Sequence, residues 1–419
     1  MYRKTTLKNG FRIMSEKLDH LRSLALGIWV NSGSRDEIGS ESGLSHFIEH
    51  MSFKGTRNRS SLQIAKELDA IGGLSNAFTG KENTCFHGRV LGKHFHSLAE
   101  ILSDILLNST YNQDDMERER QVILQEISMV EDTPDDHIHV LLNRLFWPDH
   151  PVGRPVLGIG ETISAIEKET ILRHMDRFYS PERIVVVAAG DVDHDDMVSF
   201  FEPLFDPLKG KASHGERNAP KSGAGVSVHF KDLEQVHICL GGEAPSLKSR
   251  RRYSCAILST ILGGNMSSRL FQEIRENRGL AYSVYSFVSS YVDAGLFGIY
   301  LATDSGNVNL ALETIQSEIR KISKGELSRT DLEEARDHLI GGLYLASESA
   351  ENRMMRMAKN EFLFNRYVGI DELVSSLEQV TVDDVVEIAG RIFLKDGVSL
   401  VTLGPIKEED LDTSTLAFN

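Results

Sequence analysis

The two halves of this chain close alike, and that repetition restricts the possible folds more than any other feature. Residues 163–197, ISAIEKETILRHMDRFYSPERIVVVAAGDVDHDDM, close the first half, and residues 374–411, VSSLEQVTVDDVVEIAGRIFLKDGVSLVTLGPIKEEDL, close the second. Each gives an acidic helix start, an amphipathic helix ending near an aromatic residue, a β-rich run, a glycine and another acidic helix start. The openings match more loosely: LALGIWVNSGSRDE precedes the first helix of one half, and VHICLGGEAPSLKS precedes a helix at about 250–262 in the other. Between them lies LKGKASHGERNAPKSGAG, residues 208–225, rich in Gly, Ser, Lys and Pro and almost free of apolar side chains. One α+β unit repeated across such a segment reads as a duplication. The expected fold is α+β, with two homologous domains at 1–207 and 226–419, each a mostly antiparallel sheet covered by helices, joined by a linker at 208–225.

Chemistry is concentrated in one half. In GLSHFIEHMSFKG, residues 43–55, Leu44, Phe47, Ile48 and Met51 are core-type residues, yet His46, Glu49 and His50 are set among them. At 3.6 residues per turn, positions i, i+3 and i+4 share one helix face. Two histidines so placed can present ring nitrogens to one metal ion, and the arrangement is H-x-x-E-H, the inverse of the commoner zinc-protease order. Glu49 is too close to both histidines to be a comfortable third ligand and is well placed to take a proton from an activated water. The matching helix of the second half, YSCAILSTILGG, carries neither the histidines nor the glutamate.

A third protein ligand has to come from elsewhere. Residues 113–136 form an acidic helix in which Glu119 and Glu126 stand seven apart, hence on one face. Glu126 lies among Val122, Ile123, Ile127 and Val130; spacing alone leaves it either solvent-facing or buried with a partner. Residues 74–91, LSNAFTGKENTCFHGRVL, alternate like paired strands with a turn at Gly80.

HFIEH, then MSFKGT, then a glutamate 76 residues after the second histidine in ERERQVILQEI, resembles the pitrilysin and insulin-degrading family of zinc peptidases. The likeness is greatest to the two-domain members, which include the mitochondrial processing peptidase and its bacterial relatives, and it covers nearly the whole chain. It implies one Zn²⁺ per chain held by His46, His50 and Glu126, Glu49 as general base, and Glu119 orienting a ligand from behind. It implies that Asn76, Ala77 and Phe78 lie on an edge strand to which a substrate peptide adds as a further strand. By themselves Arg275 and Tyr282, in RLFQEIRENRGLAYSVYS, read as surface charge and packing. The family's Arg-x6-Tyr pair implies that they hold the substrate backbone and help the oxyanion. The resemblance further implies a homodimer that closes a chamber around a peptide or an unfolded protein segment. The resulting expectation is a zinc-dependent endopeptidase; the alternative is a non-catalytic partner or assembly subunit of a processing-peptidase-like complex.

A formal charge of −15 argues against nucleic acid; it would suit a cationic peptide, but plain solubility explains it more simply. Cys85, Cys239 and Cys255 are too few and too scattered for a disulfide framework. No run approaches the ~18 apolar residues of a membrane span, and the first residues lack an apolar signal core. A cytoplasmic protein with no membrane partner is expected. His94 with His96 and His137 with His139 read as surface histidines, and residues 352–364 as a Met-bearing core helix.

Overall fold

Residues 24–30, LALGIWV, are buried throughout, which requires apolar layers on both faces of their sheet. A computed structural model describes residues 1–209, 217–395 and 397–412, so residues 210–216 of the expected linker lie outside the described residues. In chain order the strands are β1 (Tyr2–Thr6), β2 (Arg12–Lys17), β3 (Ser23–Val30), β4 (Leu74–Thr79), β5 (Thr84–Leu91), β6 (Ile184–Gly190), β7 (Gly225–Phe230), β8 (Val236–Glu243), β9 (Ala281–Ser290), β10 (Gly295–Thr303) and β11 (Ser399–Gly404). The first helices are α1 (Leu44–Ser52), α2 (Ser61–Ala70), α3 (Phe95–Leu107), α4 (Gln113–Asp132), α5 (Pro134–Phe146), α6 (Gly160–Ala165), α7 (Lys168–Phe178) and α8 (His194–Phe205). They are followed by α9 (Arg252–Gly263), α10 (Val308–Ser323), α11 (Arg329–Ser347), α12 (Ala350–Phe364), α13 (Ile370–Glu378) and α14 (Val382–Gly390).

The strands form two sheets, ordered β1-β2-β6-β3-β5-β4 and β7-β11-β8-β10-β9. Setting aside β1, the two are the same sheet. In each, the first two strands are parallel (β2 with β6, β7 with β11) and every later neighbour is antiparallel. The duplication seen in the sequence is thus a duplication of topology, and the α+β expectation holds.

Alternation explains how each sheet is covered. Leu24, Leu26, Ile28 and Val30 of β3 join a core with Leu98, Ile101, Leu102 and Ile105 of α3 and Met197 and Phe201 of α8. Ala25 and Trp29 point to the other face, onto Met354, Met357 and Ala358 of α12. Buried Glu361 anchors the same helix through Lys4 at 2.7 Å and Arg12 at 3.1 Å. The second sheet repeats the scheme. Val236, Ile238 and Leu240 pack with α9, α10 and α14, while Cys239, Val401 and Leu403 pack on Ile138, Leu142 and Phe146 of α5.

The compact units are therefore not contiguous in sequence. Of the described residues, one contains those within 1–129, 154–217 and 345–368, the other those within 130–153, 218–344 and 369–412. The Met-bearing helix α12 is core as expected, but of the first sheet, and α5 serves the second. The three cysteines are free and buried. Among the described residues no helix is long and apolar enough to cross a membrane.

Candidate metal centre

Helix α1 begins at Gly43, whose φ of +92° falls in the left-handed region that glycine enters without strain. The first amide groups of a helix have no partner within it. Here Glu37 accepts from Gly43 N–H at 2.8 Å and from Ser45 N–H at 2.7 Å, placing a carboxylate at the positive end of the helix. Burial raises the Glu37 carboxyl to about 7 against the lowering effect of those bonds. Leu44, Phe47, Ile48 and Met51 pack with Met116 and Ile123 of α4 and with Ile163 and Ile171. That apolar seam aligns α1 and α4, and the ionisable side chains of both helices meet along its margin.

His46 Nε2 and His50 Nε2 each lie 3.7 Å from the same oxygen of Glu126, Oε2. Three such ligand atoms all fall within 4.8 Å of one another. These separations are too long for hydrogen bonds. They suit one shared ion, since a tetrahedral site with bonds of about 2.0–2.2 Å needs ligand atoms roughly 3.5 Å apart. Two imidazoles and a carboxylate are also a zinc-type donor set that leaves a position open. Burial, and then the neighbouring His50, push His46 down to about 4, so it is an unprotonated donor at neutral pH.

Behind the cluster, His50 Nδ1 stands 3.2 Å from Glu119 Oε2, and the other oxygen of Glu119 is 2.7 Å from Lys54 Nζ. A carboxylate partner fixes the proton on Nδ1 and leaves Nε2 as the lone-pair nitrogen. His46 Nδ1, also buried, has no such partner among the described residues. Glu49 faces the strand instead: Thr79 Oγ1 donates to its Oε2 at 2.5 Å. Burial raises the Glu49 carboxyl above its ordinary value, while the Thr79 bond and His50 act in the opposite direction. An open cleft of about 450 Å³ adjoins these groups, lined among others by Glu49, His50, Phe53, Ile64, Leu68 and Ala77.

The insulinase family, peptidase family M16, matches residues 12–160, and the peptidase M16 inactive domain matches residues 165–339. A protein of Bacillus subtilis named as an uncharacterized zinc protease is 36% identical over 94% of this chain and 97% of its own. A similarly named protein of Streptomyces coelicolor is 38% identical over 97% of this chain and 90% of its own. The chain belongs to peptidase family M16. The crystal structure of a Helicobacter pylori protease has the same fold, with a TM-score of 0.89 at 22% identity over 97% of this chain and 99% of that one. A Pseudomonas fluorescens protein described as a peptidase M16 inactive domain also gives 0.89, at 18% identity over 97% and 98%.

In this M16 chain the other candidate residues fall in two places. Asn76, Ala77 and Phe78 lie in β4, which is indeed the edge of the first sheet. Asn76 is exposed, Ala77 is half-buried and borders the cleft, and Phe78 turns to the other face and meets Trp29 edge-on at 5.4 Å. Arg275 and Tyr282 belong to the second unit, where the guanidinium lies 4.4 Å from the centre of the Tyr282 ring and Tyr282 is 78% exposed. Sequence reasoning gave no role to Glu37, Lys54 or Thr79. Their signals were present but weak: a carboxylate shortly before the helix, a cation one turn past His50, and a hydroxyl ending the edge strand. His139, expected at the surface, is instead half-buried, with Nε2 3.0 Å from the Tyr285 hydroxyl and its ring 4.8 Å from that of Phe287.

Proposed function

We propose that this chain is a zinc-dependent endopeptidase that cleaves peptides or unfolded protein segments. The observation that carries the reading is the convergence of two imidazole nitrogens on one Glu126 oxygen, with Glu49 beside them on the same helix face. His46, His50 and Glu126 hold one Zn²⁺. When bound, the ion supplies Lewis acidity, lowering the pKa of water to about 7 and polarising a carbonyl. Glu49 accepts a proton from the attacking water and returns it to the leaving amine. Its environment favours that cycle, because burial raises its basicity while Thr79 holds one oxygen. Glu119 keeps His50 oriented.

The outer edge of β4 takes the substrate as an added strand, with backbone bonds from Asn76 to Phe78 giving affinity once the Ala77 N–H leaves Asn76 Oδ1, its acceptor at 2.9 Å, and the adjoining cleft receiving a side chain. Arg275 and Tyr282 steady the substrate backbone and the oxyanion, acting on the metal site of the other chain in a cytoplasmic homodimer that encloses its substrate. A purely structural subunit has no use for an intact ligand set and base, and the second repeat shows the fold without either. The deciding experiment joins metal analysis to cleavage mapping of a peptide library by the purified chain. One zinc per chain and chelator-sensitive cleavage within peptides support the reading. A zinc-loaded chain that cuts no peptide refutes it.

A further inference from the structure

We infer that Thr79 is the positioning residue of the base, and that one strand thereby aligns both substrate and Glu49; the inference rests on the function proposed above. Thr79 has one hydroxyl proton. Among the described residues its two acceptors in reach are Glu49 Oε2 at 2.5 Å and Ser45 O at 3.4 Å, so the proton goes to the carboxylate. One carboxylate oxygen is thereby fixed, and a side chain with three rotatable bonds is reduced to a narrow set of orientations.

The mount is rigid. Thr79 ends β4 opposite Thr84, and Gly80 N–H donates to Asn83 O at 2.8 Å across the turn. Past the turn, Ser34 N–H and Arg35 N–H donate to Gly80 O and Lys81 O at 3.1 and 2.8 Å. Thr84 is itself buried, its hydroxyl bonded to Ser32 O at 3.0 Å. Strand side chains alternate, so Ala77 and Thr79 share the face that carries the cleft and α1. The outer backbone edge proposed for the peptide and the hydroxyl that orients the base are thus a few residues apart on one strand. Any shift of β4 moves both together.

Thr79→Val removes the hydroxyl and keeps the branched shape, Thr79→Ala is a second hydroxyl-free variant, and Thr79→Ser keeps the hydroxyl. The expected result for Val and Ala is unchanged zinc content, KM within about twofold, and kcat lowered about 10–100-fold. Thr79→Ser recovers most of the lost kcat, which a purely structural role for the side chain does not predict. Glu49→Gln is measured alongside. If it is inactive while Thr79→Val keeps full kcat, the positioning role is overturned and the base assignment survives. Loss of zinc in both hydroxyl-free variants, or a change confined to KM, also overturns it. If Glu49→Gln itself turns over normally, the base assignment fails and Thr79 has nothing to position.

Discussion

The two sheets are built to one plan, but the helices that follow their equivalent strands carry different side chains. Each runs one parallel pair and then antiparallel neighbours in the same order, and each has a helix from the other half of the sequence laid on one face. Helix α1 of the first unit and helix α9 of the second follow equivalent strands, β3 and β8. In α9, Cys255, Ile257, Leu258, Ile261 and Leu262 are buried and no histidine or acidic residue interrupts them. In α1 the equivalent surface carries His46, Glu49 and His50, and burial disfavours the charged form of both His46 and Glu49. Since α9 shows that the fold does not require such groups, packing does not account for them in α1, which supports the proposed site.

The comparison breaks most completely if the first unit is deprived of the metal proposed for it. Glu126→Gln replaces a carboxylate with a neutral amide oxygen, a poor zinc donor. Zinc affinity is expected to fall by more than the roughly 10–100-fold typical of losing an outer partner, and activity with it. The helices stay folded, because the α1–α4 seam is made by Phe47, Met116 and Ile123 and not by Glu126. Metal per chain after dialysis, read beside far-UV circular dichroism, checks this. Equal zinc in wild type and variant removes Glu126 from the ligand set.

Next in size is the proposed division of labour between copies. Glu49→Gln and Tyr282→Phe are each expected to lose at least about 100-fold in turnover. Mixed and allowed to exchange subunits, half the dimers become hybrids with one doubly damaged site and one intact site. About a quarter of wild-type activity then returns in a two-fold dimer. No recovery, with exchange verified by mass, means that Tyr282 serves its own chain or no reaction at all.

Much of this was legible beforehand, and the rest was not for definite reasons. The i, i+3, i+4 spacing of His46, Glu49 and His50 needs only helix geometry, and the β4–β5 hairpin follows from alternation around Gly80. Glu126 was ambiguous because the face it joins is created by α1, a tertiary partner that helix periodicity cannot name. The crossing of α5 and α12 was hidden for the same reason: an amphipathic pattern states that a stripe is buried, not beneath which sheet. His139 was misread because its hydroxyl partner, Tyr285, lies 146 residues away.

A smaller effect is expected behind the cluster. Glu119→Gln leaves all three proposed ligands in place and weakens the hold on His50 Nδ1, while Lys54 loses its ionic partner at 2.7 Å. Zinc affinity or activity is expected to fall about 10–100-fold. A loss as large as that of Glu126→Gln would put both carboxylates in direct contact with the metal.

The smallest effect tests the repeats where no chemistry is proposed. His174 stands seven residues after the N-cap of α7, and Ile388 stands seven after the N-cap of α14. Both are buried, at 3% and 2% exposure. The same core position is therefore titratable in one repeat and inert in the other. Burial lowers His174 to about 4 from 6.5, and neither ring nitrogen has a hydrogen-bond partner among the described residues. Nearby Asp36 pulls its pKa up, while Arg177 and Arg183 push it down. Because the folded pKa is depressed, the unfolded chain binds a proton that the folded chain refuses between about pH 6.5 and 4. Stability is thus full above that window and is lost as pH falls through it, by at most about 3 kcal/mol at one pKa unit per 1.36 kcal/mol. His174→Ile copies the second repeat into the first and removes that term. Denaturant midpoints of the two zinc-loaded proteins are expected to run parallel above pH 7 and to diverge toward pH 4.5 in favour of the variant, with turnover at neutral pH unchanged. Curves that stay parallel to pH 4.5 would show that His174 takes up its proton inside the folded repeat, and that the histidine is as harmless there as the isoleucine is in its twin.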